Sequence, residues 1–227
     1  MKRREFLKKG SVLIPVVLGG LATSSPIKLF GKSSNNKTVF SLSIITDKPT
    51  LTINKIGNAF RFSEFRNLNI NFSEHKLIGE QIADIALVKN SSLINFNKFN
   101  DKFSTNLKKI ANSFTFPKKV TNPTLLVFSA GDNGNPQFFN ISVANRLVER
   151  MPINSKNGIY KIKGTKDFIE LEINKKSARI HSSSCKHKTC LKMGEIKNTG
   201  ESLVCIPNQV SISVSGNSHK KFDSVTF

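Results

Sequence analysis

The sequence predicts a mixed fold, a small α/β layer followed by an all-β barrel or sandwich. Three observations lead to it. In the first half, one stretch of helical apolar spacing lies between β-branched runs. The second half holds a regular series of short apolar segments punctuated by Gly, Asn, Ser and Pro. The texture changes at Phe138, just after the turn cluster Gly131 to Pro136.

Val39 to Thr46 is β-branched and apolar, a strand closed by Asp47-Lys48-Pro49. From Thr50 the apolar residues Leu51, Ile53, Ile56, Ala59 and Phe60 follow helical spacing, with Asp47 or Thr50 as caps. Leu68 to Phe72 alternates and Ile82 to Val88 is a continuous apolar run, so both read as strands. Residues 90–122 mix Asn, Ser, Lys and Phe without a readable period. Leu125 to Phe128 is a short buried strand, and the 131–136 cluster reads as a hairpin turn rather than a ligand cradle. Strands then follow at 139–143, 158–162, 168–173, 178–181, 203–206 and 210–214, a spacing that suits a sandwich or barrel. The domain reading is therefore 39–137 for the α/β layer and 138–227 for the β part, large enough to fold as a unit.

The N-terminus reads as an address. Residues 1–9 are basic, and a short apolar run from Val12 to Leu21, broken by Pro15, Gly19 and Gly20, follows. A bilayer-spanning helix needs about 20 apolar residues, so the run suits a cleavable secretory signal better than an anchor. Ala22 and Ser24 place the cut before Ser25, and no cysteine lies near it for lipidation. Residues 25–38 are polar and aperiodic, a tether.

Charge excludes less than it suggests. The chain carries +20 from 35 basic and 15 acidic residues. Five of the basic and one of the acidic residues lie in 1–24, which leaves +16 beyond the expected cut. Such a surplus draws a protein to anionic membrane, cell-wall polymer or nucleic acid. It is mostly Lys, spread along the chain, with seven Arg in all, whereas readers of base and phosphate lean on clustered Arg; nucleic acid is therefore not expected. Trp is absent and Tyr occurs once, so the 18 Phe must supply the aromatic bulk of any core.

The chemistry gathers in 179–208, where Cys185, Cys190 and Cys205, every cysteine of the chain, lie with His181 and His187. Two readings stay open. In oxidising surroundings two of the three form a disulfide; pairing with Cys205 closes a loop of 15 or 20 residues, worth about 3 kcal/mol in the chain-entropy model. The third thiol is then spare. Alternatively, Cys185, His187, Cys190 and Cys205 hold a metal or an iron–sulfur cluster, since thiolate and imidazole are the ligands of such centres. Lys186, Lys188 and Lys192 would then lower the thiol pKa values. Ser182-Ser183-Ser184 beside His181 is a serine-rich turn rather than a nucleophile with its base, and no carboxylate is placed to orient the histidine. His75 and His219 read as surface residues. No phosphate-binding glycine loop and no acid pair at catalytic spacing occur.

Two resemblances can be named on these residues. Arg3-Arg4-Glu5-Phe6-Leu7-Lys8 resembles the twin-arginine (Tat) signal, Arg3, Arg4, Phe6 and Leu7 being the matching positions. It implies export to the periplasm or cell envelope through the Tat translocase, a route that carries folded and often cofactor-loaded passengers. Arg179-Ile180, Ser184-Cys185, Cys190-Leu191-Lys192, Gly194-Glu195-Ile196, Gly200 and Cys205-Ile206-Pro207-Asn208 resemble NusG domain II, with Gly194, Pro207 and Asn208 among the motif positions. That resemblance covers the C-terminal third and implies a small β-barrel, and with it no settled activity. The expected function is an exported, non-enzymatic accessory or binding protein with a disulfide-stabilised, redox-capable cysteine group; the alternative is an extracytoplasmic electron-transfer or metal protein. Cys185-Lys186-His187 followed by Cys205 also resembles the first half of a Rieske pattern, but Asn208 stands where the second histidine belongs, and a Rieske cluster needs two Cys and two His.

Overall fold

The computed structural model describes residues 27–28, 39–131 and 134–216. The expected signal at 1–24, most of the 25–38 segment and His219 lie outside the described residues. In chain order the elements are β1 (Ile27–Lys28), β2 (Phe40–Thr46), α1 (Pro49–Arg61), β3 (Asn71–Lys76), β4 (Gln81–Ala83), β5 (Ile85–Lys89), β6 (Ser92–Ile94), α2 (Lys102–Ser113), β7 (Lys118–Val120), β8 (Thr124–Ala130), β9 (Pro136–Val143), β10 (Arg146–Pro152), β11 (Gly158–Lys163), β12 (Phe168–Asn174), β13 (Ser177–Ser183), β14 (Ser202–Cys205) and β15 (Val210–Gly216), with 3-10 turns at Phe96–Lys98 and Thr189–Lys192.

The first half is an antiparallel sheet in the order β1-β3-β8-β2-β5-β6 with both helices on one face. β2 explains the layering. Its residues alternate across the sheet, so Phe40, Leu42 and Ile44 join the helix-side core while Ser41, Ser43 and Ile45 face the other way. Every β2 residue is buried; the serine-bearing face is therefore covered too, by the β4–β7 ribbon and the C-terminal module. Phe40, Phe60, Phe65, Phe103 and Phe128 interlock beneath the helices with ring centroids 4.5–6.3 Å apart, which places the Phe surplus where the composition required it.

Several local expectations are corrected. Neither Asp47 nor Thr50 caps α1. Lys48 is its N-cap and Pro49 opens the helix, where a missing N–H costs nothing; Asp47 instead pairs with Lys118 at 3.3 Å. Residues 27–28 of the expected tether add a strand beside β3. Ile82 to Val88 is two strands in different sheets, divided at Asp84. The 131–136 cluster is no hairpin: β8 and β9 lie in different sheets.

α2 begins at Asp101, whose Oδ1 accepts from the Ser104 N–H at 2.8 Å. Burial pushes the Asp101 carboxyl up, but the hydrogen bonds from Ser104 and its neighbours outweigh this and leave it lowered from its ordinary value of 3.8. Asp101→Ala is expected to cost about 1 kcal/mol, the usual loss for a removed cap. Because the folded-state value is the lower one, the cap's contribution is complete above pH 3.8 and fades as pH falls through the folded value. Urea midpoints of the two proteins at neutral pH and near pH 3 check both statements.

Among the described residues the C-terminal part is a sandwich, with no closed barrel. A four-stranded sheet β10-β9-β15-β14 faces a three-stranded sheet β11-β12-β13, and Phe139, Ile141, Val210 and Ile212 of one interleave with Ile169, Leu171, Ile173 and Ile180 of the other. The β5–β6 turn docks onto the sandwich: Ser211 Oγ donates to the Ser91 carbonyl at 3.0 Å, Ser213 Oγ lies 2.7 Å from Ser91 Oγ, and Asn140 Nδ2 donates to Ser91 Oγ at 3.1 Å. Among the described residues no helix is long and apolar enough to cross a membrane.

Candidate functional site

The three cysteines come from three pieces of local structure. Cys185 sits just beyond β13. Cys190 lies in the turn at 189–192, which Lys188 enters with a left-handed backbone (φ 48°). Cys205 ends β14. Two of these pieces are irregular, in the stretch where the chain leaves β13 and returns to enter β14. Gly194 allows that return with φ 80° and open space around it, so its motif role is backbone freedom. All three sulfurs are buried and lie within 4.8 Å of one another. Cys185 Sγ and Cys190 Sγ are 3.6 Å apart.

The expected disulfide is not formed in this structure: all three cysteines are free. At 3.6 Å the sulfurs touch without reaching the ~2.05 Å of a bond. Hydrogen bonding makes the thiols unequal. A hydrogen bond from Cys190 lowers the Cys205 thiol pKa, helped by Ser183 Oγ (3.6 Å from the sulfur), the Asn208 backbone N–H and Cys185, against the opposing effect of burial. Cys190 is correspondingly raised, first because its proton is held by Cys205 and then because it is buried. The lysines expected to activate the thiols are otherwise engaged or exposed: Lys192 Nζ donates to the Ile78 carbonyl at 2.7 Å, and Lys186 and Lys188 face solvent.

Among the described residues no histidine joins the close group of sulfurs. His187 lines the neighbouring cavity, but the close group of ligand atoms comprises the three sulfurs. His181 is exposed, with Nδ1 at 3.3 Å from Glu172 Oε2. That carboxylate partner was missed in the sequence, because the β12–β13 register alone brings it near. Ser183 Oγ turns inward to Cys205 Sγ at 3.6 Å and Ser184 Oγ donates to the Phe168 carbonyl at 3.3 Å, so both are engaged away from His181. His75 is half-buried on β3 beside Ser73 Oγ (3.1 Å).

Asn208 serves the fold. Its Oδ1 accepts from the Asp167 N–H at 3.1 Å, its Nδ2 donates to Ser184 Oγ at 3.3 Å and to Cys205 Sγ at 3.5 Å, and its carbonyl accepts from the Thr165 N–H at 2.9 Å. One buried amide thus ties the Cys205 turn to the β11–β12 loop and supplies a donor to a sulfur.

Against this cluster lies a cavity of about 190 Å³ between the module and the serine-bearing face of the first sheet. The sheet contributes Ser43, Ile45, Ala86 and Leu125, with Asp84 at the β4–β5 break; the module contributes the three cysteines, Met193 and Pro207. The walls are apolar with a few convergent polar groups, the makeup of a small-ligand site. Burial pushes the Asp84 carboxyl up despite its bond from the Ile85 N–H, and Ser43 Oγ is buried without a hydrogen-bond partner. Both had faint sequence signals: a lone acid inside an apolar run, and serines alternating with large apolar residues in a strand whose two faces are buried. Thr189 Oγ1 closes one end of the interface onto Gln81 Oε1 at 2.8 Å.

Comparisons with known proteins bear on the C-terminal half. Residues 110–218 match the family model described as NusG domain II. The chain is similar to a DUF1312 family protein from Ruminococcus gnavus, at 26% identity over 35% of this chain and 99% of that one, with a TM-score of 0.31. It is also similar to a DUF1312 family protein from Enterococcus faecalis, at 18% identity over 35% and 97% respectively, with a TM-score of 0.33. No curated protein matches the sequence.

Proposed function

We propose that this chain, whose C-terminal half carries a NusG domain II-like module, is an exported, non-enzymatic binding protein whose working element is the buried three-thiol cluster. The observation that supports the thiol role is the contact of Cys185 Sγ with Cys190 Sγ at 3.6 Å beside a third, more acidic thiol. Such a group closes and opens a disulfide with little backbone movement. A disulfide-class oxidant such as oxidised glutathione takes two electrons from Cys185 and Cys190; their two protons leave, one S–S bond forms and the oxidant departs as two thiols. Export is supported by Arg3, Arg4, Phe6 and Leu7 and the broken apolar run after them, with the Tat translocase as the partner in transit. In the envelope, the basic surplus favours anionic membrane or wall polymer as the resting surface.

Intact mass with alkylation tests the thiol role. Reduced protein should take three alkyl groups and protein treated with oxidised glutathione one. Cys205→Ser should still form the bridge, and Cys190→Ser should not form a Cys185–Cys190 bridge. Three alkylatable thiols after oxidation would remove the redox reading. The mass of protein recovered from the envelope, against the full chain, tests export: an uncut N-terminus in cytoplasmic protein would remove that half.

A second reading has its own support. Three buried sulfurs lie within 4.8 Å, with no fourth His, Cys, Asp or Glu in the group among the described residues, and offer a donor set for a metal. They do not supply the two Cys and two His of a Rieske cluster, and Asn208, committed to four hydrogen bonds, does not stand in for the missing histidine.

A further inference from the structure

Resting on the metal-binding reading, we infer that the cluster is a three-sulfur site for a soft monovalent cation, copper(I), open to the cavity on one side. Geometry comes first. Ligands about 2.3 Å from a metal and spread by 109–120° stand about 3.8–4.0 Å apart; Cys185 Sγ and Cys190 Sγ are 3.6 Å apart and all three sulfurs lie within 4.8 Å. A metal fits among them with shifts of tenths of an ångström.

Donor type comes next. Structural zinc takes four protein ligands and catalytic zinc three plus a water, whereas the described residues bring three thiols together against apolar walls, with His187 outside the group. The next soft atom on the cavity wall is the thioether of Met193, whose Sδ accepts from the Val204 N–H at 3.3 Å. Thiolate and thioether donors select soft ions such as copper(I), which is satisfied by three sulfurs. The surroundings agree: Ile45, Leu125 and Val204 wall the site, apolar groups that offer no ligand to a harder, more hydrated ion. Binding displaces thiol protons to solvent and needs no electron transfer when the metal arrives as copper(I). The cavity then lies where an incoming soft donor could reach the ion and exchange it.

The test is an anaerobic titration of the full chain with its thiols reduced. Copper(I) is delivered from a bicinchoninate complex, and zinc(II) is titrated separately. One copper per chain, with an ultraviolet thiolate-to-copper band and loss of the coloured bicinchoninate complex, is the expected result. Cys190→Ser and Cys205→Ser should lose the band, and iodoacetamide-treated wild type, folded by circular dichroism, should lose it as well, which separates ligand loss from misfolding. Tight zinc at one per chain with no copper uptake would overturn the copper assignment while leaving a metal site. Neither metal taken up by protein with three confirmed thiols would overturn both readings. Copper uptake that survives alkylation would place the metal elsewhere and overturn the site.

Discussion

Phe60→Ala is expected to lower stability by about 4 kcal/mol, within the 3–5 kcal/mol usual for emptying an aromatic core position. Phe60 is 1% exposed and touches four other rings, stacking on Phe103 at 5.3 Å and meeting Phe40, Phe65 and Phe128 at 5.6, 6.3 and 5.5 Å. Those rings belong to β2, β8, α2 and the turn after α1, so no single element can shift to close the hole. The neighbouring Phe62 is 72% exposed, and Phe62→Ala should stay within about 0.5 kcal/mol. Denaturant midpoints of the pair check this. Equal small losses would mean that the Phe cluster is not a shared core.

Gly200→Ala is expected to cost about 3 kcal/mol, and its effect should reach the cavity. Gly200 has φ 86°, and a Cβ there would lie 2.5 Å from Ala130 C, Ala130 O and Gly131 N. On the other side a Cβ at Gly131 would lie 2.1 Å from the Thr199 carbonyl oxygen. Two backbones therefore cross at a separation only glycine permits, where β8 leaves the first sheet and the chain enters β14. Overpacking by a methyl costs 1–3 kcal/mol, and the left-handed backbone adds its own penalty of about 1 kcal/mol. Gly194 isolates the second contribution, for it has φ 80° and nothing within 4 Å; Gly194→Ala should cost about 1 kcal/mol. If the two substitutions cost the same, the close approach is not a constraint. Because the crossing holds the sheet against the module, Gly200→Ala should also speed alkylation of Cys185 and Cys190, which wild-type burial slows.

The β module was legible because its strands are short, separate and bounded by turns. Leu171 and Ile173 point inward while Glu170 and Glu172 alternate with them, a period of two that few other structures produce. The segment 90–122 resisted for the opposite reason. In α2, Phe103, Leu107, Ile110 and Ala111 do follow helical spacing and are buried, but they lie among Asn and Ser, whose helix propensity is low, and Lys, which adds no apolar density. β6 and β7 hold three residues each, too few for a period. The division in Ile82 to Val88 falls at Asp84: there the chain passes from the β4–β7 ribbon to the main sheet, which an apolar run conceals.

By itself the sequence determined the fold class, the Phe-based core, the gathering of the three cysteines and the likeness of their surroundings to NusG domain II, because each rests on residue type and short spacing. Only the tertiary structure decided that the sulfurs touch, that Asn208 is consumed by hydrogen bonds and that Glu172 meets His181. It alone placed the cysteines on one wall of a cavity whose other wall is Ser43, Ile45, Asp84 and Leu125. Those residues lie 60 or more positions earlier in the chain. No local periodicity encodes such a contact; it exists because the second face of the β2 sheet is apolar enough to need cover and the module supplies it.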